Sequence, residues 1–131
     1  MKYAKSFKDL EAYKLARQLS SEIYEISNQF PKEETYSLVD QLRRASRLIG
    51  AQIAESWAKR RYEKHFVSKL TDADAELQET KHWLETAFDC GYLTKIKLDE
   101  LLSCYAELGK MLNSMMNKSG SFCNHSSVNS R

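Results

Sequence analysis

The chain has 131 residues and a mass of 15.2 kDa, which suits one domain with a single core and excludes two ordinary domains. Four glycines and one proline are too few for a protein built from strands and turns, and no apolar stretch is long enough to span a membrane. The formal net charge of +2 hides a polarised surface, because a basic segment and an acidic segment are adjacent in the chain.

Apolar residues that recur every three or four positions mark the first two predicted helices. Helix one is predicted to begin after Ser6, whose hydroxyl caps the helix while Asp9 completes a capping box. Pro31 is predicted to end helix one, because proline disfavours helical geometry in the residue before it, and to begin helix two. The two apolar stripes are Leu10, Tyr13, Ala16, Leu19, Ile23, Ile26 and Phe30 in helix one, and Leu38, Leu42, Ala45, Ile49 and Ile53 in helix two.

Helices two and three are not separated by glycine or proline. A single helix over residues 35–89 would be about 80 Å long, too long for a domain of this size, so we predict a break near residues 56–61. Gly91 is predicted to end helix three in a left-handed cap, and Thr94 to cap helix four. The stripe of helix three has the seven-residue repeat of coiled-coil packing: Phe66, Leu70, Ala73, Leu77, Thr80, Leu84 and Ala87. The stripe of helix four is Leu98, Leu101, Leu102, Tyr105, Leu108, Leu112 and Met115.

These elements predict an all-α protein, an antiparallel up-down-up-down four-helix bundle formed by residues 1–118. The polar segment 119–131 has no apolar period, and we expect it to be a disordered tail. The N-terminus has no signal-like apolar core, and Cys90, Cys104 and Cys123 have no paired spacing. We therefore expect reduced thiols and a cytoplasmic location, with no membrane partner.

No set of residues in the chain specifies a reaction. Glu79 and His82 form a Glu-x-x-His element like those of di-iron bundles, but a second such element is missing. Glu55 and Glu79 are candidates for a carboxylate pair, although ion pairing with Arg44 or another base is the favoured interpretation. We expect no enzyme activity, no cofactor, no bound metal and no small-molecule substrate. A metal-dependent enzyme using Glu55, Glu79 and His82 is the third hypothesis.

The basic segment carries the main functional signal. Residues 43–69 contain eight Lys or Arg and two acids, whereas residues 70–89 contain six acids and one Lys. Phosphate backbones need several cations held together, and Trp57 and Tyr62 are candidates for stacking on unpaired bases. The alternative is that the cations pair with the acidic segment, within the chain or in a neighbouring subunit. The predicted nucleic-acid-binding residues are Arg43, Arg44, Arg47, Lys59, Arg60, Arg61 and Lys64.

Helices two and three also carry apolar residues beside their main stripes. A helix in a lone bundle buries one stripe, and monomers rarely expose large apolar patches. We therefore expect exposed apolar bands that form a homo-oligomer, with a wide core stripe as the alternative. The residues concerned are Val39, Leu48 and Trp57 in helix two, and Val67, Trp83 and Phe88 in helix three.

Over about residues 6–115 the chain resembles the 23S ribosomal RNA intervening-sequence proteins. The resemblance rests on Phe7-Lys-Asp-Leu10, Phe30-Pro31-Lys-Glu-Glu34, Gln41-Leu42-Arg43-Arg44-Ala45, Ile53-Ala54-Glu55 and Gly91-Tyr92-Leu93. The chain departs from the family pattern at Ser56, where glycine is usual, and at Ala75-Glu76, where Gly-Ser is usual.

This resemblance implies a four-helix bundle that assembles as a ring-like homopentamer. The family is similar to the accessory bundle proteins of diversity-generating retroelements, which implies nucleic-acid binding through basic surfaces. The leading hypothesis is a non-enzymatic oligomeric bundle that binds RNA or DNA without sequence preference. The alternative is a protein–protein assembly module in which the same charges make subunit contacts.

Overall fold

A computed structural model of the protein describes residues 4–123, and within that range the chain is helical, without strands. The four long helices are α1 (Glu11–Ser27), α2 (Leu38–Ala58), α3 (Glu63–Asp89) and α4 (Lys95–Asn117). Two 3-10 turns (Phe7–Asp9 and Lys32–Glu34) and a short helix α5 (Ser119–Phe122) complete the fold. Helix α1 packs on α2, α2 on α3, α3 on α4 and α4 on α1 around one core. The predicted all-α class is confirmed.

The predicted apolar stripes form most of the core. In α3 the buried residues are the seven predicted ones, and in α2 all five predicted residues are buried. In α1 and α4 the stripes are buried except at Tyr13, Ile26 and Leu102, which are half-buried at the edges. Each large apolar side chain removed from water contributes about 1.5–3 kcal/mol. This layer is therefore the main stabilising element of the fold.

The start of the first helix differs from the prediction. The Ser6–Asp9 capping box exists: the Lys8 N–H donates to Ser6 Oγ over 3.0 Å, and the Ser6 N–H donates to the Asp9 carboxylate over 3.3 Å. The box begins a 3-10 turn, however, and α1 starts at Glu11 after an extended residue, Leu10. Leu10 is buried, so packing of this corner against the core accompanies the change of direction.

Helix α2 begins at Leu38 and not at Pro31 as predicted. Pro31 precedes a 3-10 turn whose last residue is Glu34. The Glu34 carboxylate accepts hydrogen bonds from residues close in the sequence and from one residue far along the chain. The Glu34 carboxylate accepts from the Tyr92 hydroxyl over 2.8 Å, from Ser37 Oγ over 2.7 Å and from the Leu38 N–H over 3.4 Å. Glu34 thus caps α2 from outside the helix, which places the helix start after it.

Helices α2 and α3 separate at residues 59–62, which overlaps the predicted break and confirms two helices in place of one. Arg60 stabilises the end of α2: its Nε donates to the Trp57 carbonyl over 2.8 Å, and its Cζ lies 3.6 Å from the Trp57 ring centroid. The Trp57 carbonyl also accepts the Arg60 N–H over 3.3 Å, and a cation at a helix C-terminus interacts favourably with the helix dipole. Ser56, at the usual glycine position, is buried inside α2 and donates to the Ile53 carbonyl over 2.6 Å.

Helix α3 ends as predicted. Gly91 has a φ of 80°, its N–H donates to the Phe88 carbonyl over 2.9 Å, and the Tyr92 N–H donates to the Ala87 carbonyl over 2.9 Å. This pair of bonds is the Schellman motif, which requires a left-handed residue and therefore favours glycine. Thr94 then caps α4 by accepting from the Lys97 N–H over 3.1 Å.

The segment after α4 begins with structure where a disordered tail was predicted. Residues 119–122 form α5, in which the Phe122 ring stacks on Phe66 with a centroid distance of 5.8 Å. Ser119 Oγ also donates to the Glu63 carboxylate. An aromatic contact and a hydrogen bond to α3 order these residues despite their polar composition. The rest of the predicted tail, residues 124–131, lies outside the described residues.

Candidate nucleic-acid interface

The seven predicted binding residues lie in different environments, and Arg43 is engaged within the chain. Its Nε donates to Ser27 Oγ over 2.8 Å, its Nη2 donates to Asn28 Oδ1 over 2.9 Å, and its Cζ lies 4.5 Å from the Tyr24 ring centroid. These contacts join α2 to the end of α1 and use the Nε and Nη2 donors of the guanidinium group. Arg43 therefore serves the packing of two helices.

Arg60 is the second arginine with an internal role. It is half-buried, and its guanidinium group lies over the Trp57 ring while its Nε donates to the Trp57 carbonyl near the end of α2. The same contact covers one face of Trp57, which is itself half-buried. Both side chains thus stabilise the turn between α2 and α3.

Arg44 and Arg47 are exposed on the outer side of α2, and neither makes an ion pair within residues 4–123. Arg44 faces the acidic segment of α3. Burial raises the pKa of Glu76, the charge of Glu79 raises it further, and Arg44 partly offsets both. Arg47 lies 5.9 Å from the Tyr24 ring and borders a shallow groove between α1 and α2. The two arginines therefore differ in their surroundings: Arg44 lies near acidic residues of α3, and Arg47 lies near Tyr24 and the groove.

Three cations remain at the α2–α3 turn, Lys59, Arg61 and Lys64, and we call them the turn cluster. All three are exposed, and none makes a side-chain hydrogen bond, ion pair or ring contact within residues 4–123. Lys118 is exposed at the end of α4, beside α5, and the contacts of α5 with α3 bring it to the same end of the molecule. Sequence reasoning missed Lys118, because a lone lysine after an apolar stripe carries no signal of its spatial neighbours.

The two ends of the helical bundle carry opposite charge. The basic end comprises residues 58–66 and 115–123, which the Phe66–Phe122 contact joins, and contains five Lys or Arg and one acid. The acidic end comprises residues 24–40 and 85–100, which the Glu34–Tyr92 hydrogen bond joins, and contains eight acids and three Lys. Summed charges of this kind create a potential that reaches beyond single contacts and attracts ligands of opposite sign.

The ion pairs of the described chain do not involve any of the seven predicted residues. The basic segment is tied to the acidic segment by Lys69, whose Nζ lies 2.8 Å from Glu55 and 3.6 Å from Asp72. The other pairs are local contacts in α1 and α4, with oppositely charged side chains three or four residues apart. Within residues 4–123, the acidic segment therefore leaves the turn cluster without an ion-pair partner.

The carboxylates considered for catalysis are separated. Glu55 binds Lys69, whereas Glu79 lies ten residues further along α3 and accepts from Trp83 Nε1 over 3.0 Å. Ten residues of helix span about 15 Å, so Glu55 and Glu79 do not form the candidate carboxylate pair, and the favoured interpretation, ion pairing with a base, is confirmed for Glu55. In the part of the chain that the structure describes, no three His, Cys, Asp or Glu residues are grouped as metal ligands.

The apolar bands predicted on helices two and three are largely covered. Val39 is buried and the other five residues are half-buried, so the wide core stripe describes them better than an exposed band. Within residues 4–123 the large apolar side chains with the greatest exposure lie elsewhere: Tyr36 (93%), Ile96 (73%), Tyr62 (58%) and Tyr24 (42%). None of the helices within residues 4–123 is long and apolar enough to cross a membrane.

Comparison with known proteins gives a family match and a structural match. The family model described as 23S rRNA-intervening sequence protein matches residues 8–114. The fold is similar to the crystal structure of a protein with unknown function from the S23 ribosomal protein family of Bacteroides thetaiotaomicron. The two chains are 22% identical with a TM-score of 0.72 over 81% of this chain and 95% of that chain, a likeness that shows the fold alone. No curated protein matches this chain.

Proposed function

Because the chain belongs to the 23S rRNA-intervening sequence protein family, we propose that it is a non-enzymatic, oligomeric helical-bundle protein that binds RNA or DNA without sequence preference. The observation that carries the proposal is the turn cluster, whose three exposed cations have no ion-pair partner within residues 4–123. Cations that neutralise phosphates release counterions, and this supplies affinity that is independent of sequence. Because the turn cluster breaks no ion pair within residues 4–123 when it binds a phosphate, its side chains suit nucleic-acid binding.

The proposed architecture is an antiparallel up-down-up-down four-helix bundle. It is supported by contacts between α1 and α2, in which later residues of one helix contact earlier residues of the other. In α1 and α2, Gly50 lies against Tyr13 and Ala16, whereas Arg43 lies against Ser27. In this topology the α2–α3 turn and the end of α4 lie together, so the turn cluster and Lys118 project from one end of the bundle.

The proposed assembly is a homo-oligomer, and the family resemblance implies a homopentamer. Exposed apolar side chains, above all Tyr36 and Ile96, support further burial between subunits. Light scattering should give a mass several times 15.2 kDa. A monomer mass over the whole accessible concentration range would overturn this part of the proposal. The free cysteines Cys90, Cys104 and Cys123 support the accompanying proposal of a cytoplasmic location.

The salt dependence of binding tests the proposed nucleic-acid interaction. The measurement is fluorescence anisotropy with a labelled single strand and a labelled duplex over a range of salt concentrations. Each phosphate contact contributes a slope of about −0.7 for a single strand and about −0.9 for a duplex in log K against log salt. If the turn cluster and Lys118 all bind phosphates, one subunit gives a slope of about −2.8 with the single strand and about −3.6 with the duplex. Affinity that does not change with salt would contradict the proposal.

A charge-reversal variant locates the interface. Replacing all three residues of the turn cluster by Glu should weaken binding to unrelated sequences alike, because backbone contacts carry no sequence information. Arg60 is left unchanged, since its side chain stabilises the turn. Equal losses of nucleic-acid affinity in this variant and in a control variant of the same net charge would contradict a localised site. The control reverses three exposed lysines outside the turn cluster: Lys32, Lys95 and Lys110.

The alternative function is a protein–protein assembly module in which the turn cluster contacts another subunit. The acidic end favours this alternative, because its eight acids and three lysines complement the basic end of a second copy. The same triple reversal separates the two functions. Lost binding with unchanged mass and helicity supports nucleic-acid binding, whereas a dissociated assembly and a wild type that does not bind near physiological salt support the module.

A further inference from the structure

The turn cluster surrounds an exposed aromatic residue, Tyr62. Tyr62 lies between the cluster residues in the chain and is 58% exposed, and it is absent from the residues packed against the core. Trp57, the other aromatic residue of the basic segment, is half-buried and carries the Arg60 guanidinium group 3.6 Å from its ring centroid. Of the two aromatic residues considered for stacking, Tyr62 is therefore the accessible one.

The position of Tyr62 is fixed by its backbone. Its N–H donates to the Lys59 carbonyl over 3.1 Å, and its own carbonyl accepts from the N–H groups of His65 and Phe66, each over 3.0 Å. The Tyr62 and His65 rings also make an edge contact, with centroids 5.3 Å apart and planes at 61°. Binding at an ordered turn costs little backbone freedom, which favours its use in recognition.

We propose that this turn binds an unpaired base of a single-stranded nucleic acid, with Tyr62 stacked on the base and the turn cluster on the adjoining phosphates. The inference rests on the proposed function and adds to it a preference for single strands. A duplex keeps its base faces inside its own stack, so it engages the cations alone. A single strand offers both phosphates and base faces, and stacking tolerates every base because each has a π-face.

The test measures binding of three labelled DNA ligands of equal length: an oligothymidylate, an abasic strand with the same phosphates, and a duplex. Tyr62→Ala should weaken binding of the oligothymidylate about 5- to 140-fold, the value expected for one stacked base. Its affinity for the abasic strand and the duplex should change less than about twofold, because their contacts are to phosphate. Tyr62→Phe keeps the ring and should bind like the wild type.

Two controls accompany these variants. Tyr36→Ala removes a tyrosine that is 93% exposed at the acidic end, and it should leave all three affinities unchanged. Tyr62→Leu removes the aromatic ring but keeps a large side chain, so it repeats the comparison if alanine lowers the helicity measured by circular dichroism. We expect Tyr62→Leu to weaken binding of the oligothymidylate as much as Tyr62→Ala does.

The outcomes separate this inference from the proposed function. If Tyr62→Ala and Tyr62→Leu bind the oligothymidylate like the wild type, while wild-type binding stays steeply salt-dependent, the stacking inference fails and phosphate binding stands. If Tyr62→Phe is as weak as Tyr62→Ala, the hydroxyl group and not the ring makes the contact, which also overturns stacking. If the wild type binds none of the three ligands even at low salt, both proposals fail.

Discussion

The basic end and the acidic end of the bundle are stabilised in different ways. At the acidic end the α1–α2 connection contacts the α3–α4 connection. The Tyr92 hydroxyl donates to Glu34, and the Phe30 and Tyr92 ring centroids lie 5.3 Å apart. At the basic end the Phe66–Phe122 contact joins α5 to α3 and Arg60 covers Trp57, whereas the cations of the turn cluster make no ion pair within residues 4–123. The comparison separates charges that hold the fold together from charges that are free for a ligand.

The core between the two ends gives the largest expected effect. Leu77 is 1% exposed and lies at the α3–α4 contact. Its side chain packs next to Gly109 of α4: a Cβ built on Gly109 would lie 3.9 Å from Leu77 Cδ1. Leu77→Ala should lower the free energy of unfolding by about 2–5 kcal/mol, measured by urea denaturation, because it empties a buried site. The exposed neighbour Gln78→Ala is the control. A loss below about 0.5 kcal/mol for Leu77→Ala would contradict the register of α3.

Neighbouring arginines on α2 provide the next test. Arg43→Met keeps an apolar stem but removes the hydrogen bonds to Ser27 and Asn28, so the free energy of unfolding should fall by about 1–2 kcal/mol. Arg44→Met, at an exposed position with no ion pair within residues 4–123, should change it by less than about 0.5 kcal/mol. Equal losses in thermal or urea unfolding would show that Arg43 does not join α1 to α2.

The same comparison applies at the basic end, with a smaller effect. Arg60→Met removes a cation–π contact and a bond to the end of α2, and it should destabilise the protein by about 1 kcal/mol. Arg61→Met should leave stability within about 0.5 kcal/mol of the wild type, yet weaken nucleic-acid binding. Urea unfolding and anisotropy measure the two quantities separately. A stable Arg60→Met variant would mean that the turn does not depend on this contact.

The hydrogen bond at the acidic end gives the smallest effect, a change in pH dependence. The bond to Glu34 raises the pKa of Tyr92 to about 12, and the bonds from Ser37 and Tyr92 lower the pKa of Glu34. The contribution of Tyr92 to stability is complete below its ordinary pKa of 10.0 and is lost as pH rises toward about 12. The contribution of Glu34 is present above its ordinary pKa of 4.5 and is lost as pH falls below it.

Tyr92→Phe removes the donor of that bond. An ultraviolet titration of the folded variant should lack the tyrosine that ionises near pH 12, and stability should fall less between pH 10 and 12 than in the wild type. Tyr36→Phe, at an exposed position, should leave the titration near pH 12 as it is. A Tyr92→Phe titration identical to the wild type would show that the Glu34–Tyr92 bond does not persist in solution.

Local signals in the sequence determined most of the helical framework. The seven-residue stripe of α3 predicted its buried face residue by residue, and Gly91 and Thr94 predicted the end of α3 and the cap of α4. Periodicity and caps succeed because each depends on residues within one or two turns of the same helix. Where a local signal met a distant partner it failed: Pro31 does not start α2, which begins at Leu38, after a 3-10 turn whose Glu34 accepts from Tyr92.

Only the tertiary structure decided which cations are free. In the sequence Arg43 and Arg44 are equivalent neighbours, and so are Arg60 and Arg61. In the fold Arg43 meets the end of α1 and Arg60 covers Trp57, whereas Lys118 joins the basic end from another helix. The physical reason is that a charged side chain is available to a ligand only when no partner from elsewhere in the chain occupies its donors, and such partners are brought close by packing.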